Sequence, residues 1–219
     1  MEDYLKAIFL LQEEGEAVTT LSLAERVGVA APSVTNMVKR LHEMGLVLHS
    51  PYRGIELTPA GRQVAVEVVR HHRLLELYLT EFLDVPWEKV HDEAERLEHV
   101  LSEDLESRIA DKLGQPAVDP HGHPIPSYGG ALTEEPTLSL WDAPSGSRVT
   151  VARVSDRDPG LLAHLPSLHL VPGATVEVLD VSPYGGTQTL CIGTATHVIG
   201  SELARSIRVR PATEENVLS

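Results

Sequence analysis

The sequence predicts a mainly α-helical protein with a small amount of β-structure: an N-terminal winged helix-turn-helix, a helical dimerisation region and a C-terminal β-barrel. Three patterns support this prediction. Apolar residues recur at helical spacing through most of residues 3–113, proline and glycine become frequent after Gly114, and apolar and polar residues alternate beyond Ser147. A chain of 219 residues is long enough for one large domain or for two or three small ones.

Residues typical of helix ends delimit the first elements. Helices are predicted over residues 3–14, 21–27 and 32–44. The residue that follows each of them is a glycine, which is typical of helix C-terminal ends. Ser22 and Glu25 match a capping box at the second helix, and Pro32 is typical of a first helical turn. Two short helices joined by a tight turn indicate a helix-turn-helix.

A β-hairpin and a long helix complete the winged fold. The segments 46–49 and 52–58 are predicted to form two strands around a turn, which makes a wing with Arg53 at its tip. Thr58 and Pro59 are typical of a helix N-cap and first position, because proline lacks a donor that the first turn does not need. Helices are therefore predicted from Pro59 to about Leu83, from Trp87 to Leu101 and from Ser102 to Leu113.

The distribution of charge matters more than its total. A formal net charge of -14 would disfavour DNA binding if it were spread evenly, because phosphate contacts need Lys and Arg. Residues 16–64 are slightly basic, whereas acids dominate residues 67–112. The candidate DNA-binding residues are Pro32, Ser33, Thr35 and Asn36 for base edges and Lys39, Arg40 and Arg53 for phosphates. The alternative is a winged helix that makes only protein contacts.

The acidic region contains a candidate metal-binding run. On a helix, His91, Glu95 and His99 are successive i,i+4 neighbours, and Glu98 falls beside the last two. Carboxylates this close repel one another unless a divalent cation, which accepts carboxylate oxygen and imidazole nitrogen together, neutralises them. The alternative is a solvated helix face with ordinary ion pairs to Arg96.

Cysteine usage and hydropathy limit the setting. Cys191 is the only cysteine, which excludes an intramolecular disulfide and a thiolate zinc site and favours a reducing, cytoplasmic environment. No apolar run approaches the roughly 18 residues that span a bilayer, and the acidic start lacks the basic region of a signal peptide. We expect a soluble protein without a membrane partner.

Short segments along almost the entire chain carry a resemblance. They are Glu2-Asp3-Tyr4-Leu5, Leu23-Ala24-Glu25-Arg26, Pro32-Ser33-Val34-Thr35, Leu57-Thr58-Pro59-x-Gly61, His72-Arg73-Leu74-Leu75-Glu76, Val90-His91-Asp92-Glu93-Ala94-Glu95-x-x-Glu98-His99 and Asp119-Pro120-His121-Gly122 with Pro124-Ile125-Pro126. Together they resemble the diphtheria-toxin-repressor family of metal-dependent transcriptional regulators, in particular its manganese-sensing branch.

The resemblance implies a domain organisation and partners. It assigns residues 1–66 to a winged helix-turn-helix DNA-binding domain, 67–130 to a helical dimerisation and metal-binding domain, 131–147 to a linker and 148–219 to an SH3-like (FeoA-like) β-barrel. It also implies a homodimer that binds a palindromic double-stranded operator. The expected function is repression of metal-uptake genes when the metal is plentiful.

The resemblance also implies two metal sites. The primary site joins Asp3, His72, Glu95, Glu98 and His99. In some relatives the second site uses residues matching His72, Glu76 and His91 with barrel ligands. In others it uses residues matching Glu76, Asp119, His121 and a barrel acid, for which Asp158 is the nearest candidate. Two alternatives stay open: Asp3 as a first-turn acid favoured by the helix dipole, and His71 in place of His72.

The ligand types point to an ion. Iron-responsive relatives use Met and Cys at the positions of Asp3 and Glu95, whereas this chain has two carboxylates. Hard oxygen donors suit Mn²⁺, with Fe²⁺ as the second choice and Cd²⁺, Co²⁺ or Zn²⁺ as ions that could occupy the sites in vitro. The same run differs from the H-x-x-E-H pattern only at Glu95, so a metallohydrolase is an alternative. A winged-helix regulator of a small organic ligand, with no metal dependence, is another.

Overall fold

The computed structural model describes residues 1–50, 54–133, 135–182 and 184–212. Its N-terminal part contains α1 (Glu2–Glu13), α2 (Thr20–Val27), α3 (Ala31–Glu43), β1 (Val47–Ser50) and β2 (Gly54–Leu57). The two strands pair in antiparallel fashion, with Leu48 opposite Glu56. This order confirms the predicted winged helix-turn-helix. Arg53, predicted at the tip of the wing, lies outside the described residues.

The capping box at α2 lies three residues earlier than predicted. Thr19 is the N-cap: its Oγ1 accepts a hydrogen bond from the Ser22 backbone N–H at 3.0 Å. The Ser22 hydroxyl oxygen accepts in turn from the Thr19 backbone N–H at 2.9 Å. The prediction that paired Ser22 with Glu25 was therefore wrong, because a serine at the third helical position completes the reciprocal pair. Gly28 ends α2 in the left-handed conformation, with φ of 70°.

One apolar core joins these elements to the start of the long helix α4 (Pro59–Leu83). Leu5 and Phe9 of α1 are buried in it. Thr58 caps α4 by accepting from the Gly61 backbone N–H at 3.1 Å. A Cβ on Gly61 would lie 1.9 Å from the Leu46 carbonyl oxygen. Only glycine lets α4 begin this close to the wing.

Two shorter helices, α5 (Val90–Leu97) and α6 (Glu103–Lys112), pack against the second half of α4. Helix α5 is shorter than the helix predicted from Trp87 to Leu101. Ser102 adopts an extended N-cap conformation for α6, which a continuous helix would not allow, and residues 98–100 form a turn. Glu98 and His99 consequently lie just beyond α5 rather than on its face.

Apolar side chains of the helical region remain exposed at its surface. They are Phe82 and Leu83 at the end of α4, Leu97 and Val100 around the end of α5, and Leu105 of α6. No helix in the described residues has the length and apolar content to cross a bilayer.

The proline-rich segment after α6 is packed against the helices at its start. Val118 and Pro124 form an isolated β-bridge, and Arg73 of α4 donates to the Pro124 carbonyl oxygen. Further on, β3 (Leu138–Ser139) lies within the predicted linker of residues 131–147 but pairs with the last strand of the C-terminal sheet. The C-terminal domain therefore begins near residue 138, ten residues before the predicted boundary at 148, because β3 pairing continues its sheet.

The C-terminal strands are β4 (Arg148–Val154), β5 (Thr175–Ser182), β6 (Thr187–Ile192), β7 (Ala195–Gly200) and β8 (Ile207–Pro211), with the short helices α7 (Pro159–His164) and α8 (Ser201–Arg205). In the part of the chain that the structure describes, these five strands and β3 form a six-stranded antiparallel sheet in the order β3-β8-β4-β5-β6-β7. Val151, Val178 and Leu190 are buried in its core. The sheet confirms the predicted SH3-like β-domain, although its ladder is open at β3 and β7.

Candidate metal centre

A first cluster of possible ligands joins α1 to the turn after α5. It consists of Asp3, Glu98 and His99, whose ligand atoms lie within 4.8 Å of one another. His99 Nε2 lies 2.6 Å from Asp3 Oδ1 and 3.5 Å from Glu98 Oε1. Glu98 is buried, while the side chain of Asp3 is 56 % exposed. One carboxylate is thus fixed in the core, and the other enters from the first turn of the winged domain.

A second cluster lies deeper, between α4 and the start of α5. His72 and Glu76 are i,i+4 neighbours on α4, and His72 Nε2 lies 3.0 Å from Glu76 Oε1. His91 Nδ1 lies 3.2 Å from the same oxygen. His72 and Glu76 are both buried. The resemblance places His72 in the primary set and, in some relatives, in a second site with Glu76 and His91. His72 contacts both groups, because its Nδ1 lies 2.5 Å from Glu98 Oε2 and its Nε2 faces Glu76 and His91.

A third cluster connects the helices to the β-domain. It contains Glu76, His121 and Asp156, and Glu76 belongs to both the second and third clusters. Glu76 Oε2 lies 3.7 Å from His121 Nδ1, too far for a hydrogen bond. Within the described residues neither atom has a hydrogen-bond partner, although both are fully buried. Two buried ligand atoms without hydrogen-bond partners, one oxygen and one nitrogen, are suited to coordinate a divalent cation.

Asp158, predicted as the ligand from the β-domain, does not belong to the cluster of Glu76 and His121. Its side chain caps α7 by accepting from the backbone N–H groups of Gly160 and Leu161. Asp156, two residues earlier in the loop after β4, is the acid that meets Glu76 and His121. The sequence carried both acids in one loop, and only the path of that loop selects between them.

Asp119 holds the loop that carries His121. Its Oδ1 accepts from the backbone N–H groups of His121 at 2.8 Å and His123 at 2.9 Å. Asp119, His121 and His123 form a further group with ligand atoms in close range, whereas the group that contains Glu76 and His121 includes Asp156. At Gly122, φ is 89° and a Cβ would lie 2.1 Å from the Ala152 carbonyl oxygen of β4, so glycine lets this loop pack on the sheet.

Lys6 was missed by the sequence reasoning and lies inside the centre. It is 6 % exposed, and its Nζ donates to Glu98 Oε2 at 2.7 Å. The same Nζ lies 3.4 Å from Glu95 Oε1 and 3.0 Å from His72 Nδ1. The available signal was its position three residues after Asp3, among the apolar residues of α1.

Glu95, a predicted primary ligand, and His71, the alternative to His72, lie around these clusters. Glu95 is beside the centre, with a side chain 56 % exposed and its Oε1 4.0 Å from His91 Nε2. His71, the alternative to His72, is buried outside the clusters, where its Nδ1 lies 3.2 Å from the Glu98 carbonyl oxygen and its Nε2 3.2 Å from Glu106 Oε2. His71 therefore supports the turn that presents Glu98.

The buried charges shift one another's pKa values. Burial alone would lower the pKa of His72, but the Glu76 carboxylate and the hydrogen bonds to Glu76 and Glu98 outweigh it and raise the pKa to about 9. Burial acts on His121 in the same way, and the neighbouring Glu76 again raises the pKa to about 9. Burial would raise the pKa values of Glu76 and Glu98, but His72 and, for Glu98, Lys6 hold them below their usual range.

Six of the seven predicted DNA-binding residues, all except Arg53, lie on the exposed face of α3. Pro32, Ser33, Thr35, Asn36, Lys39 and Arg40 are all exposed. Val34, Val38 and Leu41 point into the core instead. The helix thus presents its polar side chains at its N-terminal end and its basic ones further along, as a recognition helix requires.

Comparisons with known proteins agree with this architecture. Residues 1–55 match the family described as "Iron dependent repressor, N-terminal DNA binding domain", residues 58–127 its "metal binding and dimerisation domain", and residues 138–211 the "FeoA domain". The "Iron-dependent repressor IdeR" of Mycobacterium leprae is 35% identical, with 95% of each chain covered.

Solved structures of manganese regulators are also similar. A "Manganese-dependent transcriptional repressor complex with manganese" has a TM-score of 0.92 and 40% identity, covering 96% of this chain and 99% of that one. The "manganese regulator SloR" has a TM-score of 0.81 and 32% identity, covering 96% of this chain and 98% of that one.

The raised pKa values of His72 and His121 predict pH-dependent metal binding. At pH 7 both imidazoles carry a proton that a cation must displace, so the affinity for a divalent cation rises with pH up to about 9 and binding releases protons. The expected gain is at most about tenfold per pH unit for each proton displaced. Calorimetric titration at pH 7 and pH 8, in buffers of different ionisation enthalpy, measures both quantities. Binding without proton release and with equal affinity at the two pH values would contradict this prediction.

Proposed function

Because the chain belongs to the iron-dependent repressor family and is a metal-dependent transcriptional repressor, we propose that manganese is the ion to which it responds. The observation that carries the choice is the donor set of Asp3, Glu98 and His99, which offers oxygen and nitrogen only. Hard oxygen donors favour Mn²⁺ among the divalent transition ions available to such a site. Fe²⁺ is the alternative, since a full-length relative is named as iron-dependent.

The proposed primary ligands are Asp3, Glu98 and His99, together with Glu95, whose carboxylate contacts the same Lys6 ammonium as Glu98. The proposed second site shares Glu76 between His72 and His91 on one side and His121 and Asp156 on the other. A bound divalent ion supplies two positive charges and several coordination positions, which neutralise carboxylates that otherwise repel. Cd²⁺, Co²⁺ and Zn²⁺ accept the same donors and are expected to occupy these residues in vitro.

The residues of the first cluster connect two domains. Asp3 belongs to α1, which packs in the winged domain, whereas Glu98 and His99 follow α5 of the helical domain. Glu2 and Asp3 both approach His99, so the first turn of α1 places two carboxylates beside the residue that follows the buried Glu98. When a bound cation offsets the charge of these carboxylates, Asp3 holds the first turn against the helical domain, and the winged domain keeps one orientation.

A fixed orientation matters for a dimeric DNA reader. The exposed apolar residues Leu97, Val100 and Leu105 lie in the region that matches the dimerisation family and support pairing with a second copy. Two recognition helices must reach major grooves about 34 Å apart, or a multiple of that distance, on a palindromic operator. A ligand shifts such an equilibrium only by binding the competent orientation more tightly.

The other predicted functions fit less well. Helix α5 ends at Leu97, so Glu98 and His99 lie beyond the helix that carries Glu95, and Glu95 stands where the H-x-x-E-H pattern has a histidine. We infer that the centre does not serve as a metallohydrolase site. A repressor that contacts chromosomal DNA acts in the bacterial cytoplasm, which is where we place this chain.

Replacing His99 tests the metal dependence. His99→Ala removes one ligand of the first cluster, and since its side chain is 34 % exposed, the fold is expected to tolerate the change. We expect at least a tenfold loss of Mn²⁺-dependent retention of an operator selected from a random duplex pool. His164→Ala, an exposed histidine of α7, is the matched control. Equal Mn²⁺ dependence in both variants, with dimers intact by sedimentation, would refute the assignment.

Two substitutions on α3 separate base reading from phosphate contact. Asn36→Ala is expected to reduce discrimination between the selected operator and single-base variants by about 1–3 kcal/mol, because an amide pairs with a base edge. Lys39→Ala is expected to weaken all sequences alike and to lower the salt slope by about one. Fluorescence anisotropy over a salt series measures both. The division of roles fails if the two variants lose sequence preference equally.

A further inference from the structure

Lys6 is an ammonium group buried among possible metal ligands. Its Nζ lies 2.7 and 3.0 Å from the two carboxylate oxygens of Glu98. It also lies within 3.4 Å of Glu95 Oε1 and 3.0 Å of His72 Nδ1. Lys6 and Glu98 are nearly inaccessible to solvent, with side-chain exposures of 7% and 1%. Burying an ammonium costs free energy unless it is paired with negative charge, so the burial of Lys6 depends on the carboxylates around it.

The position of Lys6 makes it part of the centre rather than of the surrounding core. Asp3 and Lys6 are three residues apart on α1 and therefore lie on the same side of the helix. Asp3 meets His99, and Lys6 meets Glu98, the residue directly before His99 in the chain. The same helix thus presents a ligand and a positive charge to two adjacent ligands.

We propose that Lys6 is an internal counter-ion that competes with the metal for Glu98 and sets the ion concentration to which the protein responds. The inference rests on the proposed metal-binding function of the first cluster. In the metal-free protein the ammonium neutralises Glu98 and keeps the ligands assembled. A divalent cation on Glu98 must share that carboxylate with Nζ or displace it, and either event weakens binding.

This role differs from a purely structural one in the sign of its effect. If Lys6 only supported the fold, a neutral residue in its place would disorder the ligands and weaken metal binding. If Lys6 competes with the cation, a neutral residue in its place leaves Glu98 without the ammonium partner. The metal-free protein then becomes less stable, and Mn²⁺ binds more tightly.

The test is direct titration of full-length protein with Mn²⁺, following the free ion by electron paramagnetic resonance. Lys6→Met keeps the length of the side chain without its charge, and Lys6→Gln keeps polarity. We expect both to bind Mn²⁺ about tenfold more tightly than the parent, and to show a lower Tm without metal and a larger Tm rise at saturation. Lys6→Arg, which keeps the charge, should not bind more tightly than the parent.

Lys112→Met is the matched control, because it removes the same charge from an exposed side chain at the end of α6. It is expected to leave Mn²⁺ affinity unchanged. If the original protein binds Mn²⁺ and both neutral Lys6 variants bind it equally well or more weakly, the counter-ion role alone would be overturned. Absence of Mn²⁺ binding in the original protein would overturn the proposed function as well.

Discussion

Two buried carboxylates, Glu76 and Glu98, constrain the structure around them. Each is almost completely removed from solvent, and an ionised acid in that position is unstable without positive partners. His72 lies between them and contacts both, with its Nδ1 2.5 Å from Glu98 and its Nε2 3.0 Å from Glu76. The raised pKa of His72 and the lowered pKa values of both acids follow from this pairing. The two acids therefore fix where α4 and the turn after α5 meet.

The same constraint brings the three parts of the chain together. Lys6 reaches Glu98 from the winged domain, and His121 and Asp156 reach Glu76 from the loops next to the β-domain. Arg157, directly after Asp156, pairs with Glu14 at the end of α1, and Glu14 also pairs with Arg26 at the end of α2. Contacts thus connect the centre to the helix-turn-helix from two sides.

Much of the fold could be predicted from local sequence. Glycines after helices, Thr58-Pro59 before α4 and the hydrophobic periodicity located the elements of the winged domain correctly. The start of the C-terminal sheet was missed because β3 is only two residues long and depends on pairing with β8. Helix α5 was predicted too long, because periodicity does not show that Ser102 begins a new helix.

The site was harder to predict, because its geometry depends on contacts between distant segments. His91, Glu95, Glu98 and His99 stood out by spacing, and Glu76 came from the resemblance, but the grouping of His72 depended on which of its nitrogens faces each acid. Asp156 could not be separated from Asp158 without the path of the loop. Lys6 was overlooked because a lone lysine on an apolar helix face does not reveal the buried acid opposite it.

We infer that a divalent cation in these clusters controls whether the winged domain adopts the orientation that binds DNA. This is tested by measuring the affinity of the unmodified protein for its selected operator after exhaustive chelation and during stepwise return of free Mn²⁺. We expect weak retention with the chelator and recovery as Mn²⁺ is restored, with no such recovery by Mg²⁺. Equally tight binding of the operator in chelated and Mn²⁺-loaded protein would contradict it.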